Sequence, residues 1–398
     1  MKPQFYKKKL KNGLTVLFEK RNLPVVSVSS SIKFGSAFEN EKNKGIAHFI
    51  EHLMFKGTKN RNQEEIASEI EKKGGILNAY TSEELTSYWN KLPSKHLSSG
   101  IQISSDLILN PKFDATEFEK EKNVIIEEIK MYHDNPAFYV PDKIKYLLYK
   151  KPFGMSIAGT EKIVRNISRE EAVNLFDSVY TTDSMILCVV GDADFEEICE
   201  FGEKLFPQRK RRLIEYNPVK INSELVEKRE GIDQAHFIFG FHTPFFGDIR
   251  KYCYELGAAY LFEGMSSRLF QEIREKRGLA YAVKGNFDFG GNYGYCTIYV
   301  GTLTKKISEI KKIILKEIKN LKNLKKIELD ECKEQLIGAK KLFQEDSSNV
   351  MNALVMEEIN GKAEEYYKYE KRINSVKLED VKKISKIKSF SSFCLIPK

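Results

Sequence analysis

Gly45-Ile46-Ala47-His48-Phe49-Ile50-Glu51-His52-Leu53-Met54-Phe55 is the stretch from which the rest of the chain is read. The run predicts a helix from about Gly45 to Phe55 that stops at Gly57. Its histidines occupy positions i and i+4, with Glu51 at i+3, so on a helix both imidazoles and the carboxylate share one face. Imidazole is the commonest protein metal ligand, and two on one face can hold a zinc ion at about 2.0–2.1 Å. A carboxylate beside such a pair can act as base toward a metal-activated water. The chain has only six histidines, which makes accident a poor explanation of this spacing.

The whole chain is compatible with such a site. Its 398 residues suit two domains better than one. A hydrophobic content of 41% with 30% charged residues describes a globular protein with a proper core. There is no apolar run long enough to span a membrane and no secretory signal at the basic N-terminus. Six scattered cysteines without a Cys-x-x-Cys pair indicate reduced thiols and a cytoplasmic location, not a disulfide frame. The net charge of +9 comes largely from lysines spread along helices, as in 305–326. It reads as a solvated surface, and no nucleic-acid-binding signature accompanies it.

Outward from the histidine helix, Leu14 to Phe18 after the Asn12-Gly13 turn and Val25 to Phe34 read as strands. Ile76 to Thr81 and Leu85 to Leu92 form a second strand pair, closed by Pro93. Asp114-Ala115-Thr116-Glu117 is a capping box that opens a helix running to about His133. On that helix Glu121 and Glu128 are seven apart and project from one face, whereas Glu127 is rotated by about 100°. Met185 to Val190 is a buried strand. The proline-bounded, basic segment Pro207 to Pro218 reads as a linker. Beyond it the order restarts: Ala235 to Phe241 is a strand and Arg250 to Glu263 a helix. This implies a duplicated α+β unit whose second copy lacks the histidine motif. The expected division is 1–206, a linker at 207–219, and 220–398.

Two histidines leave a metal short of ligands. The third must come from another element, with Glu121, Glu127, Glu128, His133 and His96 as candidates. At this point the residues resemble a known family. His48-Phe49-Ile50-Glu51-His52 with Met54-Phe55-Lys56-Gly57-Thr58, Gly74 to Thr81, Glu121 to Glu128, and Ser267-Arg268-Leu269-Phe270 through Arg274 to Tyr281 are similar in order and spacing to the pitrilysin or insulinase zinc metallopeptidases. These are the inverzincins, which carry H-x-x-E-H. The likeness is greatest to small bacterial processing peptidases and the β subunit of the mitochondrial processing peptidase.

The resemblance implies one zinc per chain, held by His48, His52 and Glu128, with Glu51 as general base and Glu121 supporting the ligands. It implies substrate binding along an edge strand at Asn78 and Ala79. It also implies a substrate hydrogen bond from Arg274 and oxyanion stabilisation by Tyr281. The fold expected is α+β: two related domains, each a mostly antiparallel β-sheet with packed helices, forming a clamshell. The activity expected is zinc-dependent endopeptidase cleavage of short or unfolded peptides in an enclosed chamber. Because one chain carries both parts of the site, a homodimer is expected. The competing readings are a non-catalytic core-type structural subunit and a maturation peptidase dedicated to one precursor.

Overall fold

The computed structural model describes residues 4–209 and 215–398. Residues 210–214, inside the expected linker, lie outside the described residues. The chain folds into two compact units, each built on one sheet.

The first unit comprises Met1–Lys130, Ser156–Tyr216 and Phe343–Tyr366. Its strands are β1 (Gln4–Lys9), β2 (Thr15–Lys20), β3 (Val25–Ile32), β4 (Ile76–Thr81), β5 (Thr86–Pro93) and β6 (Met185–Gly191), in spatial order β1-β2-β6-β3-β5-β4. The β2–β6 pair is parallel and every other pair is antiparallel. The β1–β2 hairpin turns at Gly13, whose φ of 97° lies in the left-handed region that glycine adopts without a Cβ penalty. Central strand β3 is covered on both faces. Val28 and Ser30 face the helix Leu97–Leu109. Ser27, on the opposite face, hydrogen-bonds Ser347 at 2.8 Å, at the start of the helix Ser347–Asn360.

Helices of this unit include α1 (Ile46–Met54), α2 (Gln63–Glu71), α3 (Leu97–Leu109) and most of α4 (Ala115–Asp134), and α4 is followed by α5 (Pro136–Leu148), which belongs to the second unit. Ser30 donates to Ser104 of α3, and Gly100 of α3 brings its backbone close to Val28 and Asn90. Helix α1 buries Ile46, Ala47, Phe49, Ile50, Leu53 and Met54 in the core. Each large side chain among them contributes about 1.5–3 kcal/mol as an upper bound. That face anchors the helix and leaves His48, Glu51 and His52 on the other.

The second unit comprises Met131–Met155, Asn217–Leu342 and Tyr367–Lys398. Its strands β7 (Glu224–Arg229), β8 (Ala235–His242), β9 (Ala280–Phe289), β10 (Gly294–Thr302) and β11 (Ser391–Pro397) are ordered β7-β11-β8-β10-β9. The β7–β11 pair is parallel, and the rest are antiparallel. Leaving out β1, both sheets follow the same path from first to last strand, which is the duplication that the order of elements implied. The helix Lys251–Leu261 follows β8 as α1 follows β3, and in place of the histidines it carries Tyr252 and Leu256 around Glu255.

The units are not the contiguous halves 1–206 and 220–398. Helix α5 packs on β8 and β11 of the second sheet, and Ser347–Asn360 packs on β3 and β6 of the first. The reason is local. Gly240 has no side chain, and a Cβ there would lie 2.9 Å from Cγ1 of Ile144, so α5 seats directly on β8. Periodicity reports which face of a helix is apolar, not which sheet it covers.

Gly45 enters α1 with φ of 100°, and a Cβ on it would lie 2.5 Å from the carbonyl oxygen of Ala158. Gly45→Ala is therefore expected to destabilise the first unit by about 1–3 kcal/mol, read as a lowered urea midpoint.

Candidate active site

The site is built on α1 and α4. Asp114 caps α4 by accepting from the amides of Thr116 and Glu117 at 2.9 and 3.1 Å. The Phe118 ring then packs on Phe49 of α1 with centroids 4.7 Å apart. This contact sets the rotation of α4 and turns Glu121 and Glu128 toward the histidines. Glu127 points away and pairs with Lys130 at 2.8 Å. His133 lies against Tyr139 and Arg229, and His96 belongs to the turn that precedes α3. Of the candidates left open by spacing, Glu128 is the one whose carboxylate stands at the Nε2 atoms of both histidines, whereas Glu121 meets Nδ1 of His52.

The imidazoles face each other through their Nε2 atoms, 3.3 Å apart. The Glu128 carboxylate stands 3.3 Å from Nε2 of His52 and 3.8 Å from Nε2 of His48. One ligand atom from each of the three residues falls within a 4.8 Å span. Two ligands on a tetrahedral ion at about 2.0–2.1 Å lie about 3.3–3.4 Å from each other, so the spacing suits a metal. Two neutral imidazoles and one carboxylate are also a donor set that leaves one coordination position open.

Glu121 sits behind this set. Its Oε1 stands 2.8 Å from Nδ1 of His52, and its Oε2 pairs with Lys56 at 2.7 Å. By accepting a hydrogen bond from Nδ1–H, Glu121 leaves Nε2 of His52 to face the cluster. Nδ1 of His48 is buried and has no hydrogen-bond partner among the described residues. Glu51 is on the same helix face, and its Oε2 accepts from the Thr81 hydroxyl at 2.5 Å.

Without a metal the two histidines are driven apart electrically. Burial, then the neighbouring His52, lowers the pKa of His48 to about 4. Burial also disfavours charge on His52, but hydrogen bonds to Glu121 and Glu128 outweigh it and raise the pKa to about 9. Burial raises Glu51 above the ordinary carboxylate value, against the opposing Thr81 hydroxyl. Glu121 is also desolvated, yet His52 and Lys56 hold its pKa below the usual value.

The N-terminus of α1 is secured by a buried charge. Glu39 accepts from the amides of Gly45 and Ala47 at 3.0 and 2.7 Å, and Lys44 stands 3.5 Å from it. Burial still raises Glu39 to about 7. Asn78 and Ala79 lie on β4, the terminal strand of its sheet, paired with Trp89 and Tyr88 of β5. Thr81, at the end of the same strand, links it to Glu51. Arg274 and Tyr281 belong to the second unit. Arg274 lies in a π-helical segment, Phe270–Glu275, with its guanidinium over the Phe270 ring. Tyr281 is on β9 with its hydroxyl 3.4 Å from that of Tyr299.

Sequence reading assigned no role to Thr81, Lys56 or Glu39. Lys56 follows His52 by four residues, a helical spacing that could have revealed it. Thr81 and Glu39 had no such signal, since each arrives from a separate strand or loop.

With the geometry established, comparison with known proteins is informative. Residues 15–161 match the model described as Insulinase (Peptidase family M16), and residues 166–336 match the Peptidase M16 inactive domain. A Rickettsia felis protein named as an uncharacterized zinc protease is 35% identical over 92% of this chain and 87% of its own length. The chain belongs to the insulinase family, peptidase family M16. The chain is also similar to the β subunit of the mitochondrial processing peptidase from Bos taurus, 37% identical over 49% of this chain and 41% of the other. The crystal structure of a Helicobacter pylori protease superposes with a TM-score of 0.93 at 23% identity, covering 99% of this chain and 100% of the other. At that identity the likeness is one of fold. The inactive-domain match falls on the half that lacks the histidine motif.

Two outcomes follow from this geometry. Glu128→Gln should lose at least about tenfold in zinc affinity, whereas Glu127→Gln should bind as wild type, both read by metal titration. The reverse result would contradict the rotation of α4. Because His52 keeps its proton up to about pH 9, a metal must displace it throughout the neutral range. Apparent zinc affinity should therefore weaken about tenfold per unit as pH falls below about 9, measured by calorimetry at two pH values.

Proposed function

We propose that this chain is a zinc-dependent metalloendopeptidase that hydrolyses short or unfolded peptides. The observation that carries the reading is the convergence of His48, His52 and Glu128 beside Glu51 on one helix face. The first three would hold a single zinc ion. When bound, zinc supplies Lewis acidity, polarising a peptide carbonyl and making water acidic enough to be deprotonated near neutral pH.

The remaining steps belong to the chain. Glu51 takes the proton of the attacking water and delivers it to the leaving amine. Its burial favours both halves of that cycle, because a carboxylate with a raised pKa is a stronger base and keeps the proton until it is needed. The Thr81 hydroxyl occupies one carboxylate oxygen of Glu51 and leaves the other for the water. Glu121 fixes the His52 ring, with Lys56 compensating its charge.

The edge strand β4, which carries Asn78 and Ala79, offers its outer backbone edge to an extended substrate, which adds as a further strand and is read mainly through its main chain. That mode suits unfolded peptides and demands little of their sequence. Arg274 contributes a hydrogen bond to a substrate carbonyl, and Tyr281 donates to the developing oxyanion. Both belong to the second unit. A homodimer with an enclosed chamber would exclude folded proteins. The cysteines, all free, agree with a reducing cytoplasm.

The test pairs zinc content with cleavage of an unfolded peptide. Glu51→Gln should retain its zinc and lose at least about a hundredfold in kcat. A wild-type protein that binds no zinc and cleaves no peptide would sink the proposal.

A further inference from the structure

Tyr281 is not an ordinary strand residue. Between β9 and β10, Gly301 faces Ala282 and Thr302 faces Ala280, so Tyr281 is the extra residue of a β-bulge. Bulges re-aim side chains, and they recur beside active sites. The Thr302 hydroxyl donates to the carbonyl of Leu279 at 2.5 Å and pins this one. The Tyr281 ring consequently lies across Gly301. A Cβ there would fall 2.2 Å from Cζ of Tyr281 and 2.3 Å from its hydroxyl oxygen, so only glycine admits the ring.

The hydroxyl so placed meets a second tyrosine. Tyr299, two residues before Gly301 and on the same face of β10, has its hydroxyl 3.4 Å from that of Tyr281. His236 of β8 is the register partner of Gly301. Its Nδ1 lies 2.8 Å from the Tyr299 hydroxyl. Three side chains from three adjacent strands therefore form a line that ends at Tyr281, which is 48% exposed, while Tyr299 and His236 are only partly exposed behind it. The outer contact is long, as hydrogen bonds of catalytic groups often are before substrate is bound.

We propose that Tyr299 and His236 are positioning residues that orient the Tyr281 phenol and polarise its proton toward substrate. The proposal rests on the reading of Tyr281 as oxyanion donor. The direction of the chain follows from that role. For Tyr281 to donate outward, its oxygen must accept from the Tyr299 hydroxyl, and the Tyr299 oxygen must accept from Nδ1–H of His236. His236 is then neutral with its proton on Nδ1. Burial and the charge of Arg229 both disfavour its cationic form. Donors aligned in series polarise one another, so the terminal phenol becomes a stronger donor than an isolated tyrosine.

The experiment is a mutant cycle in the zinc-loaded full chain, with peptide kcat and KM, zinc content and thermal midpoint recorded for each variant. Tyr281→Phe should lower kcat by about a hundredfold. Tyr299→Phe should lower kcat about tenfold with little change in KM, and should do nothing further in the Tyr281→Phe background. His236→Leu should resemble Tyr299→Phe, whereas His236→Asn, whose amide can occupy the Nδ1 position, should recover most of the rate. Nitrogen NMR of the His236 ring should find Nδ1 protonated in wild type, a readout independent of turnover. If Tyr281→Phe is impaired but Tyr299→Phe is not, or if their effects multiply, the relay is wrong while the oxyanion role stands. A His236 ring protonated only on Nε2 also overturns the relay. An unimpaired Tyr281→Phe removes the oxyanion role and the relay with it.

Discussion

The contact between Phe49 and Phe118 is the constraint on which the site depends. Neither ring touches the reacting groups, yet their packing sets how α4 lies on α1. With that rotation Glu121 and Glu128, two turns apart, both reach the histidine face, one behind His52 and one between the two rings. A rotation by one residue would bring Glu127 inward and leave the histidines without their carboxylates. An apolar core contact thus decides which glutamates of α4 meet the histidines.

Holding this many polar groups together has an energetic cost. In the absence of metal, His48 is driven toward neutrality and His52 toward charge by the same few ångströms of surroundings. Glu51, Glu121 and Glu39 are all desolvated to some degree. The scaffold offsets this with specific partners: Lys56 for Glu121, Thr81 for Glu51, and the amides of Gly45 and Ala47 with Lys44 for Glu39. A positive ion held by His48, His52 and Glu128 would remove the need for the proton on His52 and so link metal binding to pH.

The duplicated sheets carry different side chains on one architecture. Strand order and direction are the same in both units, but the helix after the second strand bears His48, Glu51 and His52 in one and Tyr252, Glu255 and Leu256 in the other. In the second unit Glu255 accepts a hydrogen bond from Tyr369 at 2.9 Å. What that unit presents instead is Tyr281, re-aimed by a bulge, and Arg274 on a π-helical turn, both local departures from regular structure.

The sequence by itself determined the histidine helix, the strands flanking it, the capped helix with its glutamates, and the repetition of the unit. Each is written in short-range terms: a spacing of four, an alternation of two, a cap three residues before its partner. It also limited the third ligand to a handful of residues, and family likeness then pointed to Glu128. Tertiary structure alone decided what depends on contacts distant in sequence. Thr81 meets Glu51 because β4 ends beside α1. Glu39 caps α1 because a loop folds back upon it. Helices α5 and Ser347–Asn360 cover the sheet of the opposite half because small residues on β8 and β3 admit them. The line from His236 through Tyr299 to Tyr281 joins three strands by register, and register is set by pairing, not by any one strand's sequence.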